Sequence, residues 1–194
     1  MITPEREHKI KKALACKQPT LTVVLENIHD PHNISAILRS CDAVGVVDIC
    51  LIYHSRQDFP KMGKKTSAGS LKWVDRRHFS SIEECYEVLR REGRKIYTTH
   101  LEEDAAALYD LDLKQPVALV FGNEHDGVSE EAVRLADGNF LIPQAGMIQS
   151  LNISVACAVT LYEAFRQRKQ AGMYDTPQYT GIELQEKFEE WSAR

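Results

Sequence analysis

Five short β-branched segments, Leu21 to Asn27, Val46 to Tyr53, Arg94 to His100, Val117 to Phe121 and Asn139 to Ile142, recur along this chain with helical patterns between them. The first helix follows Asp30-Pro31, a cap and a first-turn proline, and runs His32 to Ala43 before Gly45. A second opens on Ser80-Ser81 with Glu83 and Glu84 placed for a capping box and stops at Gly93. A third covers Ser129 to Ala136 and ends near Gly138; a fourth covers Leu151 to Gln170 and ends at Gly172. This alternation predicts an α/β fold, a parallel or mostly parallel sheet with helices on both faces. The fourth helix has almost no polar face, which makes it either central or shared with a partner subunit.

At 194 residues the chain is one domain of ordinary size, and 43% hydrophobic with 27% charged residues suffices for a packed core without staples. The start, Met1 to Glu7, has no apolar h-region, and the most apolar stretch, Val44 to Tyr53, is short and interrupted by Asp48. A cytoplasmic protein with no membrane segment is expected. Five scattered cysteines without a C-x-x-C pair favour buried thiols over disulfides or a zinc ribbon. Seven histidines form no H-E-x-x-H or Cys/His cluster, so no metal is assigned.

A net charge of -4 makes no global case for nucleic-acid binding, so any such case is local. The N-terminal arm carries Arg6, Lys9, Lys11, Lys12 and Lys17, and the stretch after the second strand carries Arg56, Lys61, Lys64, Lys65, Lys72, Arg76 and Arg77. The end of the chain, with Glu186, Glu189 and Glu190, is acidic. One face meeting a polyanion would produce this division, although charged residues also solvate ordinary surfaces.

Three stretches can carry chemistry. On the first helix Ile34, Ile37, Leu38 and Cys41 form a core stripe, while Asn33, Ala36 and Arg39 recur on the other side; this is a phosphate-binding face or simply a solvated one. Next, Leu119 to Ser129 runs from a strand through a polar loop bounded by Gly122 and Gly127 into a capped helix, where α/β sheets collect ligands. It lacks the Lys-Ser/Thr of a Walker A loop and any G-x-G-x-x-G; an ordinary glycine turn is the alternative. Last, Ile142 to Ser154 sets a strand end, Pro143, Gly146, Ser150 and Asn152 before a helix, suiting a polar ligand, or a Ser150 that is only a helix cap.

Taken together, Asn33-x-x-Ala36-x-x-Arg39, Val120-Phe121-Gly122-Asn123-Glu124-x-x-Gly127 and Ile142-Pro143-x-x-Gly146-x-x-x-Ser150-Leu151-Asn152-Ile153-Ser154 resemble the three motifs of the SpoU branch of the SPOUT RNA methyltransferases, over about residues 20 to 168. The Lys17-Gln18-Pro19-x-Leu21-Thr22-Val23 entry and Arg166-Gln167-Arg168-x-x-Ala171-Gly172-Met173-Tyr174 further resemble the TrmH group, which methylates the ribose of guanosine 18 in the D-loop of tRNA. The resemblance implies a deep C-terminal trefoil knot, a rare exception to unknotted topology, S-adenosylmethionine folded into it, and a homodimer sharing the site. It implies an N-terminal arm over 1–19, a methyltransferase domain over 20–172 and a C-terminal arm over 173–194, both arms short and helical.

By position, Thr99, Gly122, Ile142 and Leu151 are implied as the cofactor cradle, and Arg39, Asn33, Glu124, Ser150 and Asn152 as the catalytic set. Lys9, Lys11, Lys12, Lys64 and Lys65 are expected to meet tRNA. A ribose 2'-hydroxyl is a poor nucleophile, so its developing oxyanion needs stabilisation in near-attack geometry. Arg39, always protonated, suits that role or the adjacent phosphate, with Asn33 orienting it. Glu124 orients groups or takes the proton; Ser150 and Asn152 hold the ribose or its loop. The acidic C-terminal arm is expected to pack on its own body or on the other subunit. Methylation of ribosomal RNA or a wobble ribose, or a non-catalytic RNA-binding dimer, are the alternatives.

Overall fold

The computed structural model describes residues 2–53, 69–100, 105–123, 126–148 and 150–194. Seven strands are seen among them: β1 (Leu21–Glu26), β2 (Asp48–Ile52), β3 (Asp75–Phe79), β4 (Lys95–Thr99), β5 (Ala106–Ala107), β6 (Val117–Phe121) and β7 (Gly138–Leu141). They form one sheet in the order β3-β2-β1-β6-β4-β7-β5, and every pairing is parallel. Six helices accompany it: α1 (Pro4–Ala15), α2 (Pro31–Ala43), α3 (Ile82–Arg91), α4 (Glu130–Leu135), α5 (Ile153–Gln170) and α6 (Gly181–Ala193).

The five predicted strands are β1, β2, β4, β6 and β7, and the four predicted helices are α2 to α5, with ends within two residues. Central strands are buried on both faces, which explains their continuous apolar runs. Alternation sorts them: Leu21, Val23, Leu25, Val117, Leu119 and Phe121 join the core under α2 and α5. Val24, Ala118 and Val120 face the other way, against Ile82, Tyr86, Leu89 and Ala132 of α3 and α4. Cys41, Cys50, Cys85 and Cys157 are buried in these two layers.

Two strands were not anticipated. β5 has only two residues, and β3, Asp75-Arg76-Arg77-His78-Phe79, looks like part of a basic loop. It is an edge strand, held by its ladder to β2 and by charge. Arg77 Nε lies 2.6 Å from Asp48 Oδ2, and its guanidinium also pairs with Glu92. Arg77, counted among the basic residues of the stretch after the second strand, is therefore engaged by carboxylates of its own chain.

α5 starts at Ile153 with Asn152 as its cap, so Ser150 is not the helix cap. At the far end of α5, Arg168 is fully buried. It donates to the Leu113, Gln115 and Thr20 carbonyls, the Thr20 hydroxyl and Gln18. Burial pushes its pKa down to about 10, still high enough to keep it charged at neutrality.

The terminal helices meet each other: Ile10 and Leu14 of α1 and Trp191 of α6 form a small apolar cluster with Leu184, Phe188 and Trp73. Lys187 and Arg194 reach Asp75 of β3 at 3.3 and 2.6 Å. The acidic C-terminal segment thus packs on its own body, the first of the two placements expected for it. No described helix is long and apolar enough to cross a membrane.

Candidate active site

Three adjacent strands, β6, β4 and β7, end side by side, and the start of α5 closes over them. The result is a cavity of about 510 Å³, a size that suits a small-molecule cofactor. Thr99, Gly122, Ile142 and Leu151, the expected cradle, all line it, and so do Ser150 and Asn152. Phe121, Phe140 and Ile153 supply apolar wall, while His100, Asn123 and Gln144 supply polar groups that sequence reasoning had not singled out.

The ends of β4 and β6 are pinned by specific contacts. Thr99 Oγ1 donates to the Val120 carbonyl at 3.0 Å, tying β4 to β6 at the rim. Gly122 runs so close to the loop that a Cβ there would overlap the Gly127 carbonyl, and Gly127 itself has φ +70°. Both glycines of the second motif are thus required by close approach and by left-handed backbone. The loop is closed by the Gly127 amide donating to the Asn123 carbonyl at 2.8 Å.

That loop is also held from β1. Asn123 Nδ2 donates to the Asn27 carbonyl at 2.8 Å, and the Ser129 amide donates to Glu26 Oε2 at 2.9 Å. Glu26 is buried. An acidic residue closing a mostly apolar strand, Leu21 to Glu26, was the signal that could have marked it as a positioning residue.

At the opposite wall Asn152 serves two elements at once. Its Oδ1 accepts from the Ser154 amide at 2.9 Å and caps α5, while its Nδ2 donates to Asn33 Oδ1 of α2 at 3.1 Å. The first and third motifs are therefore joined by one hydrogen bond. Arg39 lies elsewhere: exposed on α2, six residues past Asn33 and about 9 Å farther along the helix, it is not part of the cavity wall. Among the described residues its guanidinium has no carboxylate partner. Glu124, Lys64 and Lys65 lie outside the described residues. Lys9, Lys11 and Lys12 are exposed on α1 and do not line the cavity, and Lys11 pairs with Glu7 at 2.6 Å.

A wholly parallel α/β sheet with a cavity at its carboxyl ends, built from a glycine-tight strand exit and a capped return helix, is the arrangement in which open α/β proteins hold small molecules. The family model of the SpoU rRNA Methylase family matches residues 20–162, and the chain belongs to that family. It is 46% identical over 189 residues to the tRNA (guanosine(18)-2'-O)-methyltransferase of Thermus thermophilus, covering 97% of this chain and 96% of that protein. The crystal structure of the Aquifex aeolicus TrmH/SpoU tRNA modifying enzyme superposes with a TM-score of 0.91 at 36% identity, covering 97% of this chain and 95% of that one. The SpoU methyltransferase AviRb from Streptomyces viridochromogenes, in complex with the cofactor AdoMet, matches at TM-score 0.68 and 30% identity, over 80% of this chain and 62% of that one.

Proposed function

We propose that this protein transfers a methyl group from S-adenosylmethionine to the ribose 2'-hydroxyl of guanosine 18 in the D-loop of tRNA. The observation that carries the reading is convergence: residues from motifs far apart in sequence, Thr99, Gly122, Ile142, Ser150, Leu151 and Asn152, line one cavity. The nearly full-length likeness to the Thermus enzyme supports the choice of nucleotide. The cavity fits the cofactor, because its wall offers apolar area for an adenine ring, main-chain and side-chain polar groups for ribose and carboxylate, and a strand exit that only glycine allows. Bound there, the cofactor supplies an electrophilic methyl on a sulfonium.

The protein's own part is positioning and charge. Thr99, Gly122, Ile142 and Leu151 would hold the cofactor, which would supply the methyl group to the substrate oxygen, while the hydroxyl proton would pass to a nearby acceptor. Arg39 stabilises the oxyanion, or the phosphate beside it, as a fixed cation rather than a base. Asn33, locked to Asn152, fixes the α2 end of that arrangement. Ser150 and Asn152 hold the ribose, and Glu124 orients groups or accepts the proton.

Arg39 lies off the cavity of its own chain, and this supports a shared site in a homodimer, in which one subunit's Arg39 faces the cavity of the other. Exposed apolar residues, Met147, Ile148, Leu151, Val155 and Tyr162, offer the face for it. The segment after β7 returns across the strand ends to α5, a path that suits a C-terminal trefoil knot around the cofactor. The division into an arm over 1–19, a catalytic domain over 20–172 and an arm over 173–194, and the cytoplasm as compartment, belong to the same reading.

The test is transfer of labelled methyl to total tRNA and to unmodified ribosomal RNA, with the product mapped by nuclease digestion and mass spectrometry. Label in 2'-O-methylguanosine of the D-loop is expected; label elsewhere moves the substrate. Arg39→Ala should cost at least about 100-fold in methyl transfer while cofactor affinity is kept. Near-parental activity in that variant refutes the role of Arg39.

A further inference from the structure

The helices at the two chain ends enclose a groove that methyl transfer does not use. Thr3, Arg6, Lys9, Ile10 and Ala13, at three- and four-residue spacings on α1, line a cavity of about 450 Å³ together with Glu5, Asp42, Trp73 and Trp191. Its floor is aromatic. The Trp73 and Trp191 rings lie 4.9 Å apart and tilted by 52°; Trp191 is buried and Trp73 partly exposed. Lys17 Nζ stands 5.1 Å from the Trp191 ring centre, which fixes the inner ring and leaves Trp73 as the accessible one.

The rim is cationic. Arg6 and Lys9 are exposed, and among the described residues neither is taken up in an ion pair. Of the two acidic groups, Asp42 is neutralised by Lys17 at 3.0 Å, which leaves Glu5. Its carboxylate suits an exocyclic amino group. An aromatic floor beneath two free cations matches an unstacked nucleobase and its phosphate, since any base can stack while the phosphate meets the charge.

We propose that this groove binds an unpaired nucleobase of the RNA substrate, stacked on Trp73, with the flanking phosphate at Arg6 and Lys9. The proposal rests on the reading that RNA is the substrate. It gives the acidic C-terminal helix a part in RNA binding, through the tryptophan that supports the stack rather than through charge.

Trp73 and Trp191 are the only tryptophans of the chain, so intrinsic emission reports this groove alone. Titration with unmodified tRNA should quench it, with the midpoint that filter binding gives for labelled tRNA. Trp73→Leu should weaken tRNA binding roughly tenfold with the salt dependence unchanged, and Trp73→Phe should recover most of the loss. Arg6→Ala/Lys9→Ala, both exposed and safe for folding, should weaken binding and lower the salt slope. If methyl transfer to tRNA fails, the functional reading falls, and the same titration with ribosomal RNA still reads the groove. Bound RNA with silent emission, or parental affinity in Trp73→Leu, overturns the proposal.

Discussion

Asn152 is a single amide with two jobs, and the two can be separated by chemistry. Its oxygen caps α5 and its nitrogen holds Asn33. Asn152→Asp keeps a good cap but replaces the donor by a second carboxylate oxygen, which repels Asn33 Oδ1. The expected result is a thermal midpoint close to the parent's with methyl transfer down about tenfold or more. Activity unchanged in that variant would show that the link between the first and third motifs is dispensable. Sequence alone could mark Asn33 and Asn152 as candidates; that they share one hydrogen bond across 119 positions is a fact of packing.

At the level of elements, the molecule is held by polar ties that periodicity does not reveal. Arg168 fixes the end of α5 to the segments that enter β1 and β6, giving the Leu113 and Gln115 carbonyls their partner and joining the Val117 amide at the Thr20 carbonyl. Arg168→Met leaves the Leu113 and Gln115 carbonyls buried and unpaired, costing about 3 kcal/mol. Calorimetry should show a midpoint lower by roughly 6–12 °C. The docking of α6 depends instead on pH. Burial alone would raise the Asp75 pKa, yet hydrogen bonds and charge from Arg194 and Lys187 hold it below its ordinary value. A carboxyl depressed in the folded state contributes stability above its unfolded pKa and loses it as pH falls through the lower folded value. α6 should therefore stay docked at neutral pH and loosen below about pH 4, seen as a change in tryptophan emission. Loosening at the same pH in Asp75→Asn would assign it to another group.

For the whole molecule the decisive question is which copy supplies Arg39. Co-expressed Arg39→Ala and Asn152→Ala chains, each inactive alone, should form mixed dimers in which one cavity keeps its Asn152 and meets an intact Arg39 from the other chain. With random pairing, half the dimers carry one working site, so about a quarter of the parental activity is expected if Arg39 acts across the interface. No recovery would place Arg39 and the cavity in the same subunit. The stripe of Leu151, Val155 and Tyr162 left exposed on a single chain is the surface on which such a dimer would close.

Alternation of β-branched runs with capped helices was sufficient to predict the parallel α/β architecture and its central strands, because those strands are buried on both faces and are therefore mostly apolar. The glycines and short polar residues of the motifs were legible for a similar local reason: close approach and positive φ leave few alternatives. What the sequence could not decide is set by neighbours distant in the chain. β3 is a strand only because β2 lies beside it and Asp48 and Glu92 accept Arg77. Glu26 becomes a site residue only because the β6 exit loop falls on its carboxylate, and Trp73 and Trp191 meet only because α6 packs beside the segment that enters β3. A pattern along one strand or helix reports what that element buries; which polar groups meet across elements is decided by tertiary packing, where each buried donor must find an acceptor.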